Sequence, residues 1–164
     1  MEKTALIKTV SLEFYKNEDE SRLKGYQLPE EQLAFTSMPV PAIEACLQED
    51  DRHPIIIQYG EDIAGFFVLH GKGGAIKYSP NEQAILLRAY SISSSYQGKG
   101  IAGESLRLLP DFVKKHFPDK NEIVLGVNHS NHAAQHVYKK AGFIDQGLRI
   151  TGKKGEQYVL HMQL

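Results

Sequence analysis

A single cysteine, Cys46, in 164 residues leaves no partner for an internal disulfide and no thiolate set for a metal. Long apolar runs are also missing: no stretch approaches the roughly 20 residues that a bilayer-spanning helix requires. The opening MEKTALIKTV lacks the apolar core of a secretory signal. No segment repeats, and no tract is compositionally biased. Surplus charge is absent too. Nineteen Lys/Arg against twenty Asp/Glu give a net charge of −1, which argues against general nucleic-acid binding. The expectation is a soluble, cytoplasmic protein without a membrane or nucleic-acid partner.

What is present is ordinary in amount and uneven in placement. The hydrophobic fraction is 41% and the charged fraction 24%, and the length suits one domain spanning residues 1–164. Residues 1–60 hold six Lys/Arg against eleven Asp/Glu, net −5. Residues 61–164 hold thirteen against nine, net +4. An acidic first third and a basic remainder suit a cationic and an anionic ligand respectively; solvated surface accounts for them equally well.

Along the chain, ALIKTVSLEF alternates loosely and reads as a first strand. KNEDESRLKGYQL, PEEQLAFTSM and VPAIEACLQEDD read as short helical pieces, with Pro29 and Pro41 placed to open the last two. HPIIIQY and IAGFFVLHG flank a tight GED turn and form a hairpin. GKGGAIKYSPNE reads as loop, punctuated by Gly and Pro. QAILLRAYSI is a long strand covered on both faces. GIAGESLRLLPDFVKKHF is helical, with Ile101, Ser105, Leu108, Leu109, Phe112, Val113 and His116 on one face and a kink or early break expected at Pro110. EIVLGV is a strand, and NHAAQHVYKKAG a helix that Gly142 stops. FIDQGLRI and EQYVLHMQL close the chain as strands around the turn TGKKG. The order defines an α/β chain with a mixed sheet, whose 86–92 strand, 101–116 helix and 122–127 strand form one βαβ unit.

Three glycines stand where the long helix begins, in SYQGKGIAGES. Free N–H groups and the helix dipole at such a place favour an anion. Glycines let a phosphate approach the backbone, and successive N–H groups form a concave nest. A Walker loop is excluded, because Gly98-Lys99 is followed by Gly100 rather than Ser or Thr. Gly98, Gly100 and Gly103 match G-x-G-x-x-G, yet a dinucleotide site fits poorly. The glycines begin six residues past Ile92, the following strand ends in GVNHS without an acid for a ribose, and too little chain remains for a second half.

The same residues fit Q/R-x-x-G-x-G/A over Gln97, Gly98, Lys99, Gly100, Ile101 and Ala102, and this segment resembles the acetyl-CoA loop of the GNAT superfamily of N-acetyltransferases. LLRAYSI resembles that family's fourth strand. VNHSNHAAQHVYKKAGF resembles its second signature, from Asn131 through Ala134 and Tyr138 to Gly142-Phe143. The two motifs stand at the family's usual separation, and the element order agrees over nearly the whole chain. Gln97 in place of the commoner Arg and Ala102 in place of Gly are mild departures. The resemblance implies an α/β GNAT fold: a mixed, mostly antiparallel sheet of about seven strands, splayed between strands 4 and 5 and flanked by helices.

The resemblance also implies roles. Backbone N–H groups from Gln97 to Ala102 would hold the diphosphate of coenzyme A, with Lys99 adding charge. The strand at Tyr90 and Ile92 would pair with the pantetheine arm, and a bulge near Tyr90–Ile92 would aim an N–H at the thioester oxygen. Asn131 either caps its helix or bonds the pantetheine amides, or does both, and Asn128 is a second candidate for that contact. Tyr138 either packs in the core beside Phe143 or acts as general acid. A phenol of pKa about 10 is protonated at neutral pH, and a thiolate of pKa about 8.5 needs little help to leave. The acceptor amine must be neutral to attack; Glu82, His70 and Glu31 are weak candidates for a base. The resemblance implies acetyl-CoA as co-substrate; no histidine spacing indicates a metal, and none is expected.

In this family the first third shapes the acceptor site, and NEDE, PEE and QEDD there favour a small cationic acceptor such as a polyamine or aminoglycoside. YQLPEEQLAF and GEQYVLHMQL resemble, more loosely, members acting on polyamines or diamines. The alternatives are a non-catalytic acyl-CoA sensor and a protein or peptide N-acetyltransferase. Dimers are common in the family, so a homodimer belongs among its implications.

Overall fold

The computed structural model describes residues 8–164. Seven strands form one sheet: β1 (Val10–Phe14), β2 (Arg52–Tyr59), β3 (Asp62–His70), β4 (Ala84–Ile92), β5 (Glu122–Asn128), β6 (Ile144–Gly152) and β7 (Gly155–Gln163). Their order is β1-β2-β3-β4-β5-β7-β6. Every neighbouring pair is antiparallel except β4 and β5. Five α-helices join them: α1 (Glu30–Leu33), α2 (Pro39–Cys46), α3 (Lys72–Ala75), α4 (Ile101–His116) and α5 (His132–Lys140). Residues 5–7 of the expected first strand lie outside the described residues.

The period-two pattern of β2 and β3 sorts the core onto two faces. Ile55, Ile57, Phe67 and Leu69 pack with Leu106, Leu109, Phe112 and Val113 of α4. Ile56, Phe66 and Val68 face the other way, against Leu23, Tyr26 and Ala42. On α4, Leu106 is buried where the sequence pattern favours Leu108, and His116 is exposed. The helix runs unbroken past Pro110. A proline there costs roughly 3 kcal/mol. Buried Phe112 and Val113 lie beyond it, and roughly 1.5–3 kcal/mol from burying each offsets that cost.

A second departure is α3, where the glycines read as loop. They serve close packing instead. A Cβ on Gly74 would stand 2.2 Å from the His70 ring, and the Gly73 N–H donates to Asp51 at 2.9 Å.

Two irregularities position the site. β4 and β5 pair only over Ala84–Leu86 and Glu122–Val124, so from Leu87 onward they part. Against β3, Phe66 faces Ser91 while Val68 faces Arg88, so Phe67 alone opposes Ala89 and Tyr90. This is a β-bulge. Ala89 has φ of 54°, a left-handed conformation costing a non-glycine residue roughly 1–2 kcal/mol. The bulge thus sits one residue earlier than the sequence led us to expect.

Candidate functional site

Where β4 and β5 part, a cavity of about 970 Å³ opens, lined by both strands, the heads of α4 and α5, the α1–α2 segment and the β6–β7 turn. Its floor near α4 is the glycine loop. Ser94–Tyr96 form a short 3₁₀ turn, and Gln97 closes it by donating its N–H to the Ser94 carbonyl at 3.3 Å. That N–H is therefore spent, and the run of unpaired amides begins at Gly98 rather than at Gln97. Gln97 contributes its side chain, whose Nε2 donates to the Ile92 carbonyl at 2.8 Å and to Gln32 at 3.0 Å. The loop is pinned to β4 and α1 by this amide.

Gly98 and Gly100 have φ of 76° and 79°, which only glycine adopts cheaply. Among the described residues, no backbone carbonyl accepts from the N–H groups of Gly98, Lys99, Gly100, Ile101, Ala102 or Gly103. Six consecutive free donors at the head of a four-turn helix make an anion site. A Cβ on Gly98, Gly100 or Gly103 would meet nothing within 4 Å. Bulk is missing there for the sake of something outside the chain. Lys99 is exposed beside the loop.

Tyr90 leaves β4 toward α4, where its hydroxyl donates to Ser105 Oγ at 2.5 Å and lies 3.2 Å from the Ala102 carbonyl, which accepts from Ser105. Burial pushes its phenol pKa well up. Tyr138 lies edge-on to Tyr90 and to Phe143, with both centroids 5.9 Å away. Its hydroxyl has no protein partner among the described residues, and the side chain lines the cavity. Burial raises its pKa first, and Tyr90 adds to the effect, so the proton stays on. The Tyr138–Phe143 contact follows from how α5 ends. Gly142, at φ of 112°, lets Phe143 N–H reach the Tyr138 carbonyl and Gly142 N–H reach that of Lys139, each at 3.1 Å. This Schellman ending brings the two rings together.

Asn131 lines the cavity and caps α5, its Oδ1 accepting from Ala134 N–H at 3.3 Å. Asn128, 6% exposed, is committed on both ends: Nδ2 donates to the Lys154 carbonyl, and Oδ1 accepts from Ser130 N–H and hydroxyl. It ties β5 to the β6–β7 turn.

None of the three sequence candidates for a base lines the cavity. Glu31 and Glu82 are exposed, and Glu82 pairs with Lys72. His70 is 3% exposed behind β4; its Nδ1 accepts from Arg52, and its Nε2 stands 3.1 Å from Glu49 and 3.3 Å from Asp51. Desolvation lowers its pKa. These three side chains are the cluster with metal-ligand spacing among the described residues. With Nδ1 accepting, the neutral ring carries its proton on Nε2, which makes no hydrogen bond among the described residues and offers no lone pair to a metal in that tautomer.

Charge in the cavity differs from what the acidic first third suggests. Asp19 pairs with Arg22, Glu49 with Arg52, and Asp51 with the α3 amide. Among the described residues, every charged residue lining the cavity is basic: Arg52, Lys77, Arg88, Lys153 and Lys154. The charge argument for a polyamine-like acceptor therefore lapses. Arg88 was missed in the sequence, although it is the one charge within apolar β4.

A family model described as the GNAT acetyltransferase family matches residues 13–143. The chain belongs to this family of acetyltransferases. It is 41% identical over 153 residues to an uncharacterized N-acetyltransferase of Bacillus subtilis strain 168, YbbJ, covering 93% of this chain and 96% of that one. Among solved structures, the aminoglycoside acetyltransferase AAC(6')-Ib in complex with coenzyme A superposes with a TM-score of 0.77 at 18% identity, covering 94% of this chain and 95% of the other. Spermidine N-acetyltransferase from Vibrio cholerae, with coenzyme A and spermine, gives 0.64 at 16% identity, covering 94% and 95%. These likenesses carry the fold.

Proposed function

We propose that this acetyltransferase moves the acetyl group of acetyl-CoA to the primary amine of a small molecule, by direct attack within a ternary complex. The observation that carries the reading is the run of six unpaired N–H groups at the head of α4, opening onto the gap between β4 and β5. A diphosphate fits that nest through Gly98, Lys99, Gly100, Ile101 and Ala102. The pantetheine arm then follows β4 past Ile92 toward the bulge, filling the edge that β5 leaves open, with Asn131 beside it. At the bulge, an N–H of Ala89 or Tyr90 that regular pairing would consume is left for the thioester oxygen.

The amine nitrogen's lone pair forms the C–N bond, and the C–S pair leaves with sulfur. Tyr138 gives its proton to that sulfur and regains one from the amine's surplus through solvent. A phenol held protonated by burial is suited to this. Among the described residues, no carboxylate or imidazole lines the cavity to serve as base. The positive lining itself favours the uncharged form of an entering amine, since nearby cations lower an ammonium's pKa. The diagnostic experiment combines calorimetric titration of acetyl-CoA with thiol release over a panel of amines. Tight binding with no release for any amine would make the domain a sensor, the second reading that a cavity without a base supports.

A further inference from the structure

We propose that the acceptor amine also carries an anionic oxo group, a carboxylate or a phosphate, and that Arg88 recognises it; this rests on the acetyl-transfer reading above.

Arg88 precedes the bulge on β4 and shares its face with Ala89, toward α2. Ile92 lies four positions further on, roughly 13 Å along an extended strand, with the glycine loop beyond that. Arg88 therefore stands past the thioester end of the cofactor path, away from the diphosphate. Small side chains, Ala42, Ala45 and Ala89, line the cavity around it and leave room for a ligand.

Among the described residues Arg88 forms no ion pair. Arg88 Nη1 and Arg52 Nε each lie 3.3 Å from His70 Nδ1. Arg52 has Glu49 at 2.7 Å. Among the described residues, no carboxylate oxygen lies within 4.0 Å of the Arg88 guanidinium. Partial desolvation and then Arg52 act against its charge, Tyr78 and Glu49 act for it, and the side chain still reaches solvent. A guanidinium beside a second one, facing a cavity whose charged lining among the described residues is all basic, has no acid paired with it, and a ligand anion supplies one. Its fork of donors matches a carboxylate or phosphate with two parallel bonds. A diamine would bring a second cation to the same place.

The test is a set of primary amines differing in their far group: 1,4-diaminobutane, 4-aminobutanoate and 2-aminoethyl phosphate, each with acetyl-CoA. The expected result is a kcat/KM for one of the anionic amines at least ~30-fold above the diamine. Arg88→Ala should reduce that ratio about as much, and Arg88→Glu should favour the diamine. Melting temperature and acetyl-CoA affinity check each variant's fold; Arg88→Lys, which keeps charge but loses the fork, stands in should the others fail to fold. Turnover of the diamine as fast as the anionic amines, or a ratio that Arg88→Ala leaves unmoved, would overturn the inference while leaving acetyl transfer intact. Bound acetyl-CoA with no turnover of any amine would overturn both.

Discussion

The hydroxyl of Tyr90 lies 2.5 Å from Ser105 Oγ and fastens the bulged strand to the first turn of α4. One side chain thus holds the proposed thioester end and the proposed diphosphate end in register. Tyr90→Phe should lower stability by about 1 kcal/mol, the net value of such a bond. Ser105 keeps its donation to the Ala102 carbonyl at 2.8 Å, so no group is orphaned. We expect a several-fold weaker acetyl-CoA affinity. Denaturant unfolding and calorimetry measure the two effects separately.

Tyr138→Phe should lower kcat by about tenfold with acetyl-CoA affinity unchanged, a modest loss because a thiolate leaves readily. Its hydroxyl has no protein partner among the described residues, so stability should move by less than about 0.5 kcal/mol. The pH dependence has a definite sign. Burial raises the folded pKa, so the proton needed for catalysis is retained beyond the phenol's ordinary value near 10. A pH–rate profile should show no alkaline fall from this group below about pH 10. The same shift contributes stability below the unfolded pKa, and that contribution is lost as pH rises through the folded one.

Gly100 and Gly103 should respond to alanine with opposite signs of stability. Gly100 has φ of 79°, so Gly100→Ala strains the backbone by roughly 1–2 kcal/mol. Gly103 lies in the first turn of α4 with open space around a Cβ, so Gly103→Ala should stabilise the free protein by about 0.5–1 kcal/mol. Both should weaken acetyl-CoA binding, because the added methyl occupies the approach to the amides. Thermal melts with and without coenzyme A separate the effects. A Gly103→Ala protein that is more stable and binds as well would remove the phosphate from that corner.

Leu109→Ala tests the core behind the site. Leu109 is 1% exposed between α4 and the sheet. Its truncation should cost 2–5 kcal/mol, read from the denaturant midpoint at unchanged slope.

The sequence announced the elements that obey local rules. Gly142 stops α5, the GED turn joins β2 to β3, and three glycines mark the α4 head, because each answers a local backbone demand. Tertiary packing decided the rest. Pro110 stays inside a helix because Phe112 and Val113 beyond it find a core. Gly73 and Gly74 read as loop because the side chains that crowd them, Asp51 and His70, come from elsewhere in the chain. The acidic residues near positions 18–20 and 49–51 do not line the cavity, and composition does not reveal that Asp19, Glu49 and Asp51 are already held by Arg22, Arg52 and a backbone amide. The family resemblance implied a bulge near Tyr90–Ile92, but its exact place at Ala89 left no trace in the residues, because a strand's extra residue shows only against its partner's register.

That extra residue changes what β4 can address. A regular pleat through Arg88–Ile92 would put Tyr90 and Ile92 on the side of Tyr26 and turn Ser91 toward α4, so the bonds to Ser105 and to Tyr26 would both be lost. By inserting Ala89, the strand shifts phase once and speaks to both layers: a cation and a methyl to one, an aromatic anchor to the other. The strain in a single alanine is the cost of letting one β-strand serve as wall for two different halves of a reaction.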